Sequence, residues 1–357
     1  VGTIEQSGAN VTTVDCTASL ATAVSNATAG DTLILGSCTY TLTSAVTIDK
    51  ALTLLGRGPT NTILSTTTNN AGLLTVTASN VEIANIGLTF SAGTSSNTTL
   101  LSIDGTGGAV LSGFYIRDLI FTVTSTSGAS TVTPFQSVDA SGLIRNATST
   151  CTSTAGSCAG FDFLNQATAE AATSWTAHHL TAASTANTVG EIAHAFRNED
   201  NNATQVTTLT CYGCVGTATS SAGSGWALRT VESESSTTII NGQLSGTSSD
   251  FRQSNSPPLT LRGVLLVNNT SSSSGGGTPT YNATWVGGDV TVGGSDLVLG
   301  TAGVQLTGDG DGAVTLLGLG NGTDEDLTIN LDDTANTGVL SSSTSLNLLS
   351  FSGIGLQ

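Results

Sequence analysis

The stretch AHAFRNEDNN, residues 193–202, holds the densest group of ionisable side chains in a chain that is otherwise poor in charge. Arg197, Glu199 and Asp200 could grip a sugar through charge-assisted hydrogen bonds, or supply the acid and base of a glycosidic cleavage. Trp175, upstream, offers the aromatic platform that sugar recognition favours. These four are the candidate carbohydrate-contact residues. The competing reading is a solvated turn after a short strand.

Other chemistry is thinner. Hydrolysis needs two carboxylates converging on one bond, and elimination needs a base beside an acidified sugar proton. Between residues 30 and 160 the acids Asp31, Asp49, Glu82, Asp104, Asp118 and Asp139 are dispersed. Strand alternation puts Arg117 and Asp118 of FYIRDLIF on opposite faces, which predicts surface charges or an ion pair between coils and no shared site. His178, His179 and His194 lack any zinc-binding spacing. Gly308–Gly312 places Asp309 and Asp311 in a glycine-rich turn that could hold calcium, without the repeat that would extend it. No catalytic residue is assigned, the enzyme question leans to no, and calcium is the one cofactor considered.

Six cysteines fall into three close pairs, Cys16 with Cys38, Cys151 with Cys158 and Cys211 with Cys214. Three local disulfides, and with them an extracellular setting, follow from that pattern. The C-Y-G-C pair could instead be redox-active or half of a zinc site. Nine N-x-S/T sequons, at Asn10, Asn26, Asn97, Asn146, Asn202, Asn268, Asn269, Asn282 and Asn321, matter only where a host glycosylates them.

The elements that must carry these residues are short strands. Charged residues make up 9% of the 357, net charge is −17, and one lysine stands beside seven arginines. A cationic footprint for nucleic acid is missing, and so is any run long enough to span a bilayer. Apolar and Thr-rich runs such as DTLILG, ALTLLG, TILSTT and GLLTVTASNVEIANIGLTF alternate with Gly, Asn and Ser breaks. No crossover helices separate them, so a solenoid of stacked strands is expected, with an antiparallel sandwich as its rival. Residues 1–14 read as an extended arm and 15–270 as the solenoid, with long loops at about 124–204. Residues 271–280, SSSSGGGTPT, read as a linker, and 281–357 as a Gly-rich β segment suited to assembly.

One region carries a resemblance. A short amphipathic helix leads into GDTLILGSCTYTLTSAVTIDKALTLLGRGPTNTIL, with Gly30, Asp31, Leu33, Leu35, Tyr40, Val46, Ile48, Lys50, Leu52, Leu54 and Gly56 in the telling positions. This is similar to the start of pectin-lyase-like right-handed parallel β-helix proteins, although GSC at 36–38 departs from their pattern. The resemblance implies an all-β, right-handed parallel β-helix whose first coil is capped by the helix. That superfamily includes polysaccharide lyases, hydrolases, adhesins and phage tailspikes, so fold is implied more than activity. The stretch 296–357 looks like the G-rich repeats of phage-type fibres. The expected function is a self-assembling structural or adhesive extracellular or virion protein, such as a fibre, spike or surface-filament subunit. Its expected partners are its own copies and a glycan or cell-surface receptor. The alternatives are a secreted polysaccharide lyase or glycoside hydrolase, and a carbohydrate-binding module. Lys50 is expected at a solvated turn.

Overall fold

The computed structural model describes residues 10–267, apart from short loop segments, and the backbone of five short strands between Ser271 and Asp296. Within that range the chain winds into a parallel β-helix. Each coil contributes three strand segments. A near leg and a far leg belong to one bent sheet of 18 strands, and the third segment joins a separate sheet of nine strands. A single near-leg column runs through Thr32, Thr53, Glu82, Tyr115, Leu143, Thr176, Thr210, Thr238, Thr260 and Thr280. Coil length varies along it, which is why no fixed period is visible in the sequence.

The bend between the legs is made by one residue per coil. Asn85, Asp118, Asn146, His179, Gly213 and Asn241 each follow an aligned near-leg residue, and all have φ between 50° and 64°. That left-handed conformation is least costly for Gly, Asn and Asp. The corner also corrects the alternation argument for Arg117 and Asp118. With Asp118 at φ 54° the two side chains meet on the same side. Arg117 Nη1 lies 3.0 Å from Asp118 Oδ2, and its Nε donates to Glu82 Oε1 at 3.0 Å.

The interior is filled by stacked side chains. Phe135, Phe161, Phe196, Leu228 and Phe251 occupy one column of the nine-stranded sheet. Phe161 lies nearly parallel to Phe196 at 5.9 Å and meets Phe121 of the far leg edge-on at 6.0 Å. Burial of each such ring contributes roughly 2–3 kcal/mol.

At the N-terminal end the helix Leu20–Asn26 buries Leu20 and Val24 against the first coil, with the Ser19 side chain accepting from the Thr22 amide. Lys50 closes its other end. Its Nζ donates to the carbonyls of Ser25 and Ala27 at 3.1 and 3.2 Å, where free carbonyls and the helix dipole favour a cation. The solvated-turn expectation for Lys50 is therefore corrected. The Tyr40 hydroxyl, donating to Val14 O at 2.6 Å, and the Cys16–Cys38 disulfide fasten the strand before the helix.

Three expectations of organisation meet a different arrangement. Val11–Val14, read as part of an arm, pairs in parallel with Thr32–Leu35 as a rung of the stack. Much of the span read as long loops, 124–204, is strand: Val132–Val138, Ala140–Ser153, Cys158–Asn165, Thr173–His178, Thr181–Ala186 and Ile192–Asp200. Small Ser, Thr and Ala side chains there suit close-stacked coils as well as loops. Ser271–Ser274, read as linker, pairs with Phe251–Ser254, and Thr280–Asn282 and Trp285–Val286 continue the two legs. Residues 297–357, with Asp309, Asp311 and Asn321, lie outside the described residues. No helix among the described residues is long and apolar enough to cross a membrane.

Candidate functional site

The outer face of the nine-stranded sheet carries the chemistry. Arg197, Arg229 and Arg252 are aligned on three consecutive coils. Each follows an inward residue of the Phe and Leu column, so alternation turns all three outward. Gln136 and Asp162 continue the same row on the preceding coils. A second outer row holds His194 and Trp226. The pairing between His194 and Trp226 resumes only at Phe196 and Leu228, skipping Ala195 and Ala227. That skip leaves outer residues three apart rather than two, so His194 and Arg197 line one cavity.

The charges are tightly arranged. Arg197 donates from Nε and Nη2 to the two oxygens of Asp162, both at 2.5 Å, and its Nη1 lies 3.1 Å from Glu199 Oε2. Gln136 Nε2 adds a third bond to Asp162 at 3.1 Å. Asp162 is fully buried. Burial alone would raise its carboxyl, but the Arg197 charge and these hydrogen bonds outweigh that and hold it below the usual range. Arg197 is pulled the other way by burial, yet the same partners keep it firmly charged.

Arg229 and Arg252 have no salt bridge among the described residues. Both guanidiniums lie over the Trp226 ring, at 5.6 and 4.2 Å from its centroid. Burial lowers the Arg229 pKa; Glu199 opposes the shift, and Arg197 and Arg252 add to it. His194 is 4% exposed, and burial first, then the charges of Arg197 and Arg229 against that of Asp162, push its pKa down to about 3. It is a neutral imidazole at any physiological pH.

The sequence-chosen residues separate here. Arg197 and Glu199 belong to the strip. Trp175 does not: it is 1% exposed inside the coil, stacked on Phe114 at 6.1 Å, with Nε1 donating to Ser137 Oγ at 2.9 Å. As an interior residue it cannot serve as a stacking platform. Asp200 is fully buried and accepts from the Thr207 hydroxyl at 3.0 Å, which removes it from carbohydrate contact. Sequence reasoning missed Asp162, His194, Trp226, Arg229 and Arg252 as a group. They are spread over 91 positions from Asp162 to Arg252 and meet only through coil stacking. The recurring signal was an aromatic or Leu followed directly by a charged residue, in FDF, FRN, LRT and FRQ.

All three cysteine pairs are disulfides, Cys16–Cys38, Cys151–Cys158 and Cys211–Cys214, and none of the described cysteines is free. The C-Y-G-C pair spans the corner at Gly213, and its bonded sulfurs are not zinc ligands. The disulfides point to a secreted or extracellular protein. Among the described residues no three His, Cys, Asp or Glu side chains group as a metal site. Asn10, Asn26, Asn97 and Asn146 are exposed; Asn202, Asn268 and Asn269 lie outside the described residues, and Asn282 is described by its backbone alone.

No protein-family model matches the sequence, and no curated protein does. Solved structures do. The catalytic domain of a GH87 alpha-1,3-glucanase in complex with nigerose aligns over 84% of this chain and 68% of its own, at 10% identity and TM-score 0.30. The A-module of the Azotobacter vinelandii mannuronan C-5 epimerase AlgE4 aligns over 78% and 91%, at 11% identity and TM-score 0.33. Pectate lyase Pel9A aligns over 81% and 79%, at 13% identity and TM-score 0.31. The parallel stacking of its own coils makes the chain a parallel β-helix protein, in the fold that the N-terminal resemblance implied.

Proposed function

We propose that this is an extracellular adhesive β-helix, a fibre, spike or surface-filament subunit, which holds an anionic glycan along the outer face of its nine-stranded sheet. The observation that carries this reading is the aligned row Arg197, Arg229 and Arg252 in a chain of net charge −17. Three of the eight cationic side chains share one face, at the inter-strand spacing of about 4.8 Å. An extended polyanion would meet a repeated positive register. Planar guanidiniums suit carboxylate and sulfate groups, and Trp226 fixes two of them in place. Binding rather than cleavage is favoured because Asp162 and Glu199 are both engaged by Arg197.

Arg229 favours a second reading, a polysaccharide lyase. Its pKa is lowered by burial, which moves an arginine towards use as a base. In that case it would take the proton beside a uronate carboxylate while the C4–O bond breaks and water protonates the leaving oxygen.

One experiment separates them. The full chain is incubated with acidic and neutral polysaccharides, and co-sedimentation is measured alongside the ultraviolet absorbance of unsaturated uronate. Salt-sensitive binding to acidic chains of unchanged length supports the adhesive reading. Absorbance that grows in wild type and vanishes in Arg229→Lys replaces it with the lyase. Failure to bind any acidic chain sinks both.

A further inference from the structure

The cavity beside the arginine strip has buried polar atoms with nothing to bond. Its volume is about 230 Å³, and Thr99, Thr133, Gln136, His194, Arg197 and Arg229 line it. Both ring nitrogens of His194 lack a partner, and so does Arg229 Nε. Each such atom costs on the order of 1–3 kcal/mol, and buried polar groups are seldom left so unless a ligand or ordered water completes them. The volume exceeds the roughly 30 Å³ share of one water several times over, so a larger group fits.

The unpaired donor selects the kind of group. Arg197 and Arg229 flank the cavity. The carboxylates that contact Arg197, Asp162 and Glu199, are both engaged by it, and Asp162 also accepts from Gln136. Glu191 accepts from the hydroxyl of Ser157, a lining residue, at 2.6 Å. An oxyanion meets an unused guanidinium N–H, a donor that a cation cannot use. A neutral imidazole offers one donor and one acceptor. An oxyanion alone can use only the donor; a sugar that carries one beside a hydroxyl uses both.

We propose that this cavity receives a single oxyanion substituent of the glycan, a sulfate half-ester or a carboxylate, with Arg229 Nε and one His194 nitrogen donating to it. The other His194 nitrogen accepts from a neighbouring sugar hydroxyl. The inference rests on the glycan-binding reading and deepens it, because it places the substituent that sets specificity away from Arg252, which acts on the polyanion as a whole.

Two measurements test it. First, inorganic sulfate and acetate are titrated separately into protein labelled with ¹⁵N-histidine. Saturable shifts of the His194 ring nitrogens, absent in Arg229→Gln, are expected with at least one anion; no shift with either overturns the proposal. Second, a sulfated glycosaminoglycan oligosaccharide, its desulfated counterpart and an oligouronate are compared by calorimetry. His194→Leu and Arg229→Gln should each weaken the preferred oligosaccharide about tenfold, one hydrogen bond to a charged group. His194→Gln, which keeps a donor, should recover part of the loss, and unchanged thermal midpoints show that the variants fold. The more affected oligosaccharide identifies the source, sulfate ester or carboxylate. If Arg252→Gln weakens binding while both cavity variants match wild type, the cavity proposal fails and the adhesive reading stands. If sulfate or acetate shifts His194 but no oligosaccharide binds, the cavity stands and the glycan reading fails.

Discussion

His194 makes acid stability a measurement of the site. In the folded chain its pKa is about 3, against an unfolded value near 6.5. A depressed folded pKa means that the unfolded chain takes up the proton first. The contribution of His194 is therefore complete above about pH 6.5 and is lost as pH falls towards 3. Each unit of pKa difference is about 1.4 kcal/mol, and integrating the two titrations from pH 7 to pH 4 gives a loss of about 3 kcal/mol. Asp162, Arg197 and Arg229 surround the ring and remain charged over most of that range, so their own titration is a smaller difference between variants. The perturbation is His194→Leu, which keeps the volume and removes the titration. Urea unfolding is followed at pH 7 and pH 4 for both proteins. Wild type should lose about 3 kcal/mol more than the variant between the two values. Equal losses would refute the claim that His194 is buried as a neutral ring, and with it the donor–acceptor assignment of the cavity.

Other outcomes follow from single contacts. Lys50→Met should cost about 1 kcal/mol and raise amide exchange in Leu20–Asn26, since it removes the cation from the helix end. His179→Val should cost about 1–2 kcal/mol through its left-handed corner conformation, whereas His179→Asn should be nearly neutral by urea unfolding. Trp175→Ala should lower stability by about 3–5 kcal/mol in the same assay and leave glycan affinity unchanged, because the ring is interior. Alkylation without reductant should add no mass, while reduction under denaturing conditions should open all six cysteines.

The sequence disclosed the fold where each strand ends in a turn it could announce. Leu33, Leu35, Ile48, Leu52 and Leu54 alternate strictly, are buried, and lie in the first two coils. Later coils are harder to read for a physical reason. Long strands such as Leu111–Ser125 pass through a one-residue corner, so the inward set changes parity at Asp118 without any Gly or Pro to mark it. Ser, Thr and Ala across the expected loop span 124–204 are common in loops, yet their small side chains are also what closely stacked coils accept.

The site was half legible for the same reason. Arg197 and Glu199 stand two apart on one strand, and alternation alone keeps them together. Arg229, Arg252 and Asp162 come from neighbouring coils, and coil lengths differ, so no fixed offset relates them to Arg197. Trp175 and Trp226 illustrate the limit. Each lies within a strand that carries Thr and Ala, yet one ring faces Phe114 inside and the other carries two guanidiniums outside. What separates them is the pairing skip at Ala227, which turns Trp226 towards the outer face. A local backbone event that no side chain announces therefore decides which tryptophan can serve the surface. It also gathers a histidine, two arginines and a cavity on one face of a strongly acidic protein.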